Sequence, residues 1–417
     1  MTALRRLAGS DMGATAYEDW IERGSGKAPE ILAKAAAARP GVHNGSGFLL
    51  PVSECLMAAV LPEINYLPEM PADSSRRIAI AGAGAIVTGA HLPAYALAGF
   101  NVAGIWNRTR ARAEAAAQRF GIERVYENVD QLVADDSVEI VDIALIPDVQ
   151  LEIVQAAAAA GKHILCQKPL HEHLAPARAI VECCQAAGVK LNVNQQLRHD
   201  ARMRSVAALF DKDLLGRPTR TMFDTNIDLD YDFPWLAGQQ ELEIMYHSIH
   251  YLDTLRSIFG NPHRVYCTTG CLPDQQGRGE TRSTTVLDFP GGHTALVFAS
   301  SNNRHDTQYA RFRFEGSGGT VIGDNHLFSG SAAGDPTRLM VRSDKIDPEV
   351  EFVMRVPELR VPHSFVGPMA SLMKAIEDDC EPDPGGLDNL DTIALVRACY
   401  RSAEIGQAVE FESVATP

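Results

Sequence analysis

The chain has 417 residues, 22% of them charged and 46% apolar, with a formal net charge of −15. Such a length carries two ordinary domains, because a single core stops growing near roughly 250–300 residues. The acidic balance argues against a nucleic-acid or anionic-membrane surface and favours a small-molecule ligand. No apolar run approaches the ~18 residues of a membrane span and the N-terminus lacks an apolar leader core, so a cytoplasmic protein is expected. Eight cysteines without a CxxC pair predict reduced thiols rather than disulfides or structural zinc.

Residues 1–72 read as a partly helical N-terminal extension, with amphipathic patterns over Tyr17 to Ala38 and Pro51 to Leu61. Residues 73–197 have a different texture. RRIAIAGAGAI, FNVAGIWN, VEIVDIALI, KHILCQ and GVKLNVNQQ are short β-branched apolar runs separated by alanine-rich stretches of helical period. That alternation predicts a parallel sheet with helices on both faces, a dinucleotide-binding Rossmann domain. Residues 198–383 alternate in longer runs (RPTRTMFDTNIDLD, RVYCTTGCL, STTVLDF, HTALVFASS, ARFRFEGSGGTVIG, TRLMVRS) around one strong helix, ELEIMYHSIHYLDTLRSIFG. They predict an α+β domain on a large, mostly antiparallel sheet carrying helices. Residues 384–417 form a C-terminal helix and tail.

In IAIAGAGAIVTGAH, Gly82 and Gly84 follow a strand and precede a helical run. Glycine there permits a tight turn and close approach of a pyrophosphate to free N–H groups at the helix start. Val87 stands where the third glycine of GxGxxG would fall, so the turn is a bare GxG. The second strand ends at Asn107-Arg108 with no acidic residue to hold the adenosine ribose of NAD. Asn107 offers a hydrogen bond to a ribose. Arg108 faces a 2′-phosphate, stacks on adenine, or is a solvated loop residue, and the balance tips slightly from NAD towards NADP.

AGKHILCQKPL resembles the AGKHVxxEKP segment of the glucose-fructose oxidoreductase/inositol dehydrogenase/MocA-type (Gfo/Idh/MocA) family. The resemblance extends over residues 76–412, through GAGAI with His91-Leu92-Pro93-Ala94, Asn107-Arg108, Pro147, Lys168-Pro169, His250 with Asp253, and DTIALVRACYRSAEIGQAVEF. It implies a nicotinamide-dependent dehydrogenase or reductase acting on a secondary alcohol of a sugar, cyclitol or related molecule, built as a homodimer or homotetramer. Gly82, Gly84, Ala85, Ile86, Asn107, Arg108, Pro147, Gln167, Lys168 and Gln195 are then expected around the cofactor. Lys168 is expected beside the nicotinamide and the substrate hydroxyl, where it stabilises an alkoxide or exchanges its proton. The family's glutamate before the lysine is here Gln167, which removes a counter-ion and eases loss of the lysine's proton.

On the 241–260 helix, spacing at about 100° per residue gathers Leu242, Met245, Ile249, Leu252 and Phe259 on a core face. Asp253, Tyr246, His250, Thr254 and His247 gather on an adjoining polar stripe that suits a cleft wall. The resemblance matches His250 and Asp253 to D-x-G-x-H-x-x-D, while Tyr246 replaces its first aspartate. His250 is expected as acid/base with Lys168 beside it; Tyr246 and Asp253 are further catalytic candidates, and Arg198 and His247 join Lys168 and His250 as substrate contacts. A satisfied core histidine is the plain alternative for His250. His247, His250 and Asp253 can be drawn as a metal triad, but the chemistry needs none and no metal is expected. Softer candidates are Gln196, the acidic loop with Asp228, Asp230, Asp232 and Trp235, and Arg311 with Arg313. Two other functions stay open: a glycoside-cleaving relative that oxidises transiently and recycles its NAD, and a non-catalytic dinucleotide-binding regulator.

Overall fold

A computed structural model describes residues 60–227, 234–275, 277–302, 308–324 and 337–415. The helical patterns expected before residue 60 and the aspartates at 228, 230 and 232 lie outside the described residues. The first domain runs β1 (Arg77–Ala81), α1 (Leu92–Ala98), β2 (Asn101–Trp106), α2 (Arg110–Phe120), β3 (Arg124–Val125), β4 (Ile140–Ile143), α3 (Pro147–Ala159), β5 (His163–Gln167), α4 (Leu174–Ala187) and β6 (Leu191–Asn194). Its six strands are parallel in the order β3-β2-β1-β4-β5-β6. Ile78, Ile80, Ile140, Ile143 and Leu165 are fully buried, as expected of strands covered by helices on both faces. The strand order reverses between β1 and β4, which opens a crevice at their C-terminal ends, the general ligand position of such sheets.

The second region contains α5 (Ala201–Asp211), β7 (Pro218–Asn226), α6 (Ile249–Phe259), β8 (Arg264–Gly270), β9 (Arg282–Asp288), β10 (Thr294–Ser300), β11 (Tyr309–Gly316), β12 (Gly319–Asp324), β13 (Thr337–Ser343), β14 (Asp347–Val356), α7 (Val366–Glu377), α8 (Gly386–Ile405) and β15 (Val409–Glu410). The described strands form a nine-stranded sheet, β14-β13-β12-β11-β7-β10-β9-β8-β15, antiparallel except for the β7–β10 pair. This is the mostly antiparallel sheet that the alternating runs predict. ARFRFEGSGGTVIG divides into β11 and β12 around the two-residue turn Ser317-Gly318. The edge strand β14 went unread because its charged, mostly exposed positions mask the period.

Helix α7 joins the core of the first domain although it follows the large sheet in sequence. Phe365, Val366, Met369, Ala370, Leu372 and Met373 cluster with Ile78, Ile80, Tyr95, Ile105 and Leu165. Asn192 Nδ2 donates to the Pro368 carbonyl at 2.7 Å, tying β6 to the same helix.

A buried ion-pair network locks β6, α6 and α8 together. Arg198, in the short helical turn after β6, forks onto Asp253 of α6 through Nε (2.5 Å) and Nη2 (2.9 Å). It also reaches Asp383 at 2.8 Å and Asp388 of α8 at 2.6 Å. Thr392 donates to Asp253 at 2.6 Å, and Arg256 bonds Asp388 at 3.0 Å. The Arg198 and Asp253 side chains are 6% and 1% exposed, so deleting the cation strands a buried carboxylate. Arg198→Met is therefore expected to cost about 3–5 kcal/mol in urea unfolding; a loss below ~1 kcal/mol would show that the network does not hold these helices.

Candidate active site

The turn after β1 is shaped for close approach. Gly82 has φ +130°, and a Cβ there would lie 2.5 Å from the Ala144 carbonyl oxygen, so a side chain is excluded. Its N–H donates to the Trp106 carbonyl at 2.7 Å. A Cβ on Gly84 would meet nothing within 4 Å, which leaves the turn bare on that side. Asn107 Oδ1 accepts the Ala83 N–H at 3.0 Å while Nδ2 donates to the Thr109 carbonyl at 3.0 Å. Asn107 thus staples the turn, and the exposed neighbour Arg108 is the side chain left facing solvent. Ala85 and Ile86 are exposed beside the turn, and Ile146 and Val149 are exposed where buried Pro147 opens α3. A left-handed glycine, a bare second glycine and exposed apolar residues suit a dinucleotide, with its pyrophosphate at the turn.

Strand β5 ends at Gln167, followed by a cis Lys168-Pro169 bond. Gln167 is fixed from behind. Asp142 Oδ2 lies 2.7 Å from His91 Nδ1 and also accepts the Tyr95 hydroxyl at 2.8 Å. A proton on Nδ1 leaves His91 Nε2 to accept from the amides of Gln167 (3.0 Å) and Asn194 (3.1 Å). The Gln167 oxygen then accepts the Lys168 N–H at 2.9 Å. Across the cleft, Lys168 Nζ donates to the Tyr246 carbonyl at 2.6 Å. Burial, reinforced by the positive charge of Arg360, lowers the Lys168 pKa to about 7.

The helix facing Lys168 is not regular. Ile244–Ser248 winds with the wider i→i+5 bonding before α6 begins, and one extra residue per turn rotates what precedes Ile249. The polar stripe expected from a uniform 100° step therefore does not form one cleft wall. His247 turns to Glu243 (Nδ1–Oε1 3.1 Å) and Tyr251 (Nε2–Oη 3.2 Å). Asp253 and Arg198 occupy each other, as described. Tyr246 donates its hydroxyl to Glu172 and packs edge-on to Trp235 at 5.3 Å. Burial and Glu172 raise its pKa, so the phenol stays a neutral donor.

His250 has different surroundings. Its Nε2 lies 3.4 Å from Gln196 Nε2, while Nδ1 has no hydrogen-bond partner although the residue is only 5% exposed. Burial, Lys168, Arg360 and His247, in that order, hold its pKa well below the ordinary value, so the imidazole is neutral. Gln195, wholly buried, likewise has both amide atoms unpartnered. Lys168, His250, Tyr246 and the β6 exit thus come together, while Asp253 and Arg198 belong to the ion-pair network. Arg311 stacks on Tyr309 at 5.0 Å and Arg313 pairs with Glu315, away from this grouping. Sequence reasoning missed Glu172, Glu243, Arg360 and the His91–Asp142 pair. Only His91 carried a signal, through its place after GAGAI.

The "Oxidoreductase family, NAD-binding Rossmann fold" profile matches residues 76–195, and the "GFO/IDH/MocA C-terminal domain" profile matches residues 203–322. The D-xylose 1-dehydrogenase (NADP(+)) 2 of Haloferax volcanii is 30% identical over 330 residues, covering 77% of this chain and 95% of the relative. The chain belongs to the Gfo/Idh/MocA oxidoreductase family. Another family member, the D-apiose dehydrogenase of Paraburkholderia graminis, is 29% identical over 76% of this chain and 84% of its own length. A solved oxidoreductase from Agrobacterium radiobacter, in complex with NAD+, L-tartaric acid and magnesium, superposes with a TM-score of 0.72 at 27% identity, covering 81% of this chain and 98% of that one. Like its named Gfo/Idh/MocA relatives, the protein is a dehydrogenase or reductase.

Gln167→Glu places an anion beside both Lys168 and His91 and should raise the Lys168 pKa by about one unit. The pH dependence of acylation at Lys168, followed by peptide mass mapping, measures this; an unchanged midpoint would contradict the electrostatics assigned here.

Proposed function

We propose that the protein is an NAD(P)-dependent dehydrogenase acting at a secondary CH–OH of a sugar-like substrate. The observation that carries this reading is a lysine with a pKa near 7 at the sheet's C-terminal edge, facing a neutral histidine with one unpartnered ring nitrogen. The bound nicotinamide supplies the hydride acceptor or donor. Gly82 and Gly84 admit its pyrophosphate, Ala85, Ile86 and Pro147 border it, and Gln167 and Gln195 lie on the side towards the substrate. Arg108, with no acidic residue at the end of β2, tips the choice towards NADP, and the Haloferax relative is named for NADP+.

Oxidation of an alcohol requires loss of its hydroxyl proton. An acid/base works best with a pKa near the working pH, so the electrostatics favour Lys168 for this proton. His250, held neutral by burial and neighbouring cations, is a weak base and serves as a hydrogen-bonding partner of the substrate. Tyr246 holds Lys168 through its main-chain carbonyl, and its phenol is committed to Glu172.

The sign of the pH dependence follows. Below about 7 Lys168 is an ammonium; above it, the free amine accepts a proton. With NADP or NAD and a polyol and sugar panel, kcat/KM for oxidation should rise through pH 7 and then level. Lys168→Met should lose about 10²–10⁴-fold in kcat while binding the dinucleotide normally. Near-normal turnover, or a profile flat around pH 7, would refute the role of Lys168. Product formed without net cofactor reduction would instead indicate transient oxidation.

The same reading includes a homo-oligomer joined through the outer face of the large sheet. The cross-strand register aligns Val353, Met340, Ile322, Arg313, Met222, Leu296, Val286 and Tyr266 in one row across eight strands. Phe298 stands beside this row, 53% exposed, and Val353 is 55% exposed. A row of this length that is apolar but for Arg313 and the Tyr266 hydroxyl is unfavourable against water and suits a second sheet. Phe298→Glu combined with Val353→Glu should reduce the mass seen by sedimentation to that of a single chain. A wild-type protein that sediments as a monomer would remove this part of the reading.

A further inference from the structure

Arg360 lies in the loop between β14 and α7 and is 1% exposed, among the largest fully buried side chains. Its main chain is anchored, because the Arg360 carbonyl accepts from Ser364 N at 3.1 Å and from Ser364 Oγ at 2.5 Å. Its guanidinium has no such closure. Nε and Nη1 have no acceptor, and among the described residues no carboxylate forms an ion pair with it. Other buried arginines are matched: Arg198 by Asp253, Asp383 and Asp388, Arg202 by Asp200, and Arg256 by Asp388 and Asp391. A guanidinium cannot shed its charge. Buried with Nε and Nη1 unmatched, it is costly to the fold, which is tolerable where an arriving ligand supplies the missing acceptor.

The position of Arg360 says which ligand. The turn His363–Phe365 that anchors it packs against Gln196–His199 at the exit of β6, beside His250, and its positive charge acts on Lys168, His247 and His250. It therefore belongs to the substrate end of the cleft, whereas the pyrophosphate turn lies at Gly82 and Gly84. Glu243, on the helix that carries His247, is engaged through Oε1 by His247 and Ser248, its buried Oε2 has no partner, and it forms no ion pair with Arg360 among the described residues. We propose that Arg360 receives a carboxylate of the substrate, so that the enzyme acts on a polyhydroxy acid, such as an aldonate or uronate, in preference to the neutral sugar. One unmatched guanidinium suits one negative charge; the second charge of a phosphate would stand against Glu243. The proposal rests on the dehydrogenase reading for the reaction and on Arg360 alone for the acid.

The test uses the full chain saturated with NADP or NAD and matched ligands: D-galactose against D-galacturonate, D-glucose against D-gluconate, and D-glucose 6-phosphate. Affinity is read by calorimetry and turnover by nicotinamide absorbance. The acid of at least one pair should bind and turn over about 10–100-fold better than its neutral partner. Arg360→Gln should erase that preference while its dinucleotide affinity stays within about threefold of wild type. Should Arg360→Gln fail to fold, the wild-type comparison of each pair still decides. Neutral sugars bound as well as the acids, preference for the phosphate, or binding of no acid overturns the proposal. If acids bind through Arg360 but no compound is oxidised or reduced, the dehydrogenase reading fails and the carboxylate site stands.

Discussion

The geometry of the cleft depends on the full satisfaction of Arg198. A buried guanidinium is tolerated only when its donors find acceptors, and here those acceptors come from α6, from the loop at Asp383 and from the start of α8. The exit of β6 is therefore fixed in distance and direction relative to α6. His250 sits one turn before Asp253 on that helix, and Gln195 and Gln196 lie just ahead of Arg198, so the placement of each follows from the same ion pairs. The residues that look catalytic by composition are in part the scaffold for those that are free to act.

A second constraint is electrical. The glutamine before Lys168 is neutral, and it is oriented by a chain that starts at the buried Asp142 carboxylate and passes through His91. The Asp142 carboxylate is thus kept an imidazole and a carboxamide away from Lys168. Arg360 contributes charge of the same sign as the ammonium, and together with burial this brings the amine into a range where proton exchange at neutral pH is easy. This arrangement suits the proton exchange proposed for Lys168.

The alternation of strands and helices in the first domain was legible because its strands are buried on both faces and read as unbroken apolar runs. Lys168 stood out because strand, proline and glycine turn recur in a recognisable order, and it lies at the end of β5 facing the Tyr246 carbonyl. Three features were not legible. The wide turn at Ile244–Ser248 changes the angular step without a residue that announces it, so His247 was grouped with His250 although it faces Glu243 and Tyr251, while Asp253 shares the face of His250 but is taken by Arg198, a long-range partner that helix spacing does not reveal. The destination of α7 was hidden because an amphipathic helix states that it buries a face and not against what. Arg360 lies in an irregular loop, where neither periodicity nor a motif distinguishes a buried cation from a solvated one.

The bond from Lys168 to the Tyr246 carbonyl joins the two domains through the proposed acid/base itself. An amine dried by the opposing domain has low proton affinity, and the same amine in water would recover that of ordinary lysine. Proton uptake and separation of the domains are thereby linked: closing the cleft around Lys168 near neutral pH expels a proton, and acidification favours whatever wets the amine. The residue proposed to move protons for the substrate thus also makes closure of the cleft sensitive to the acidity of its surroundings.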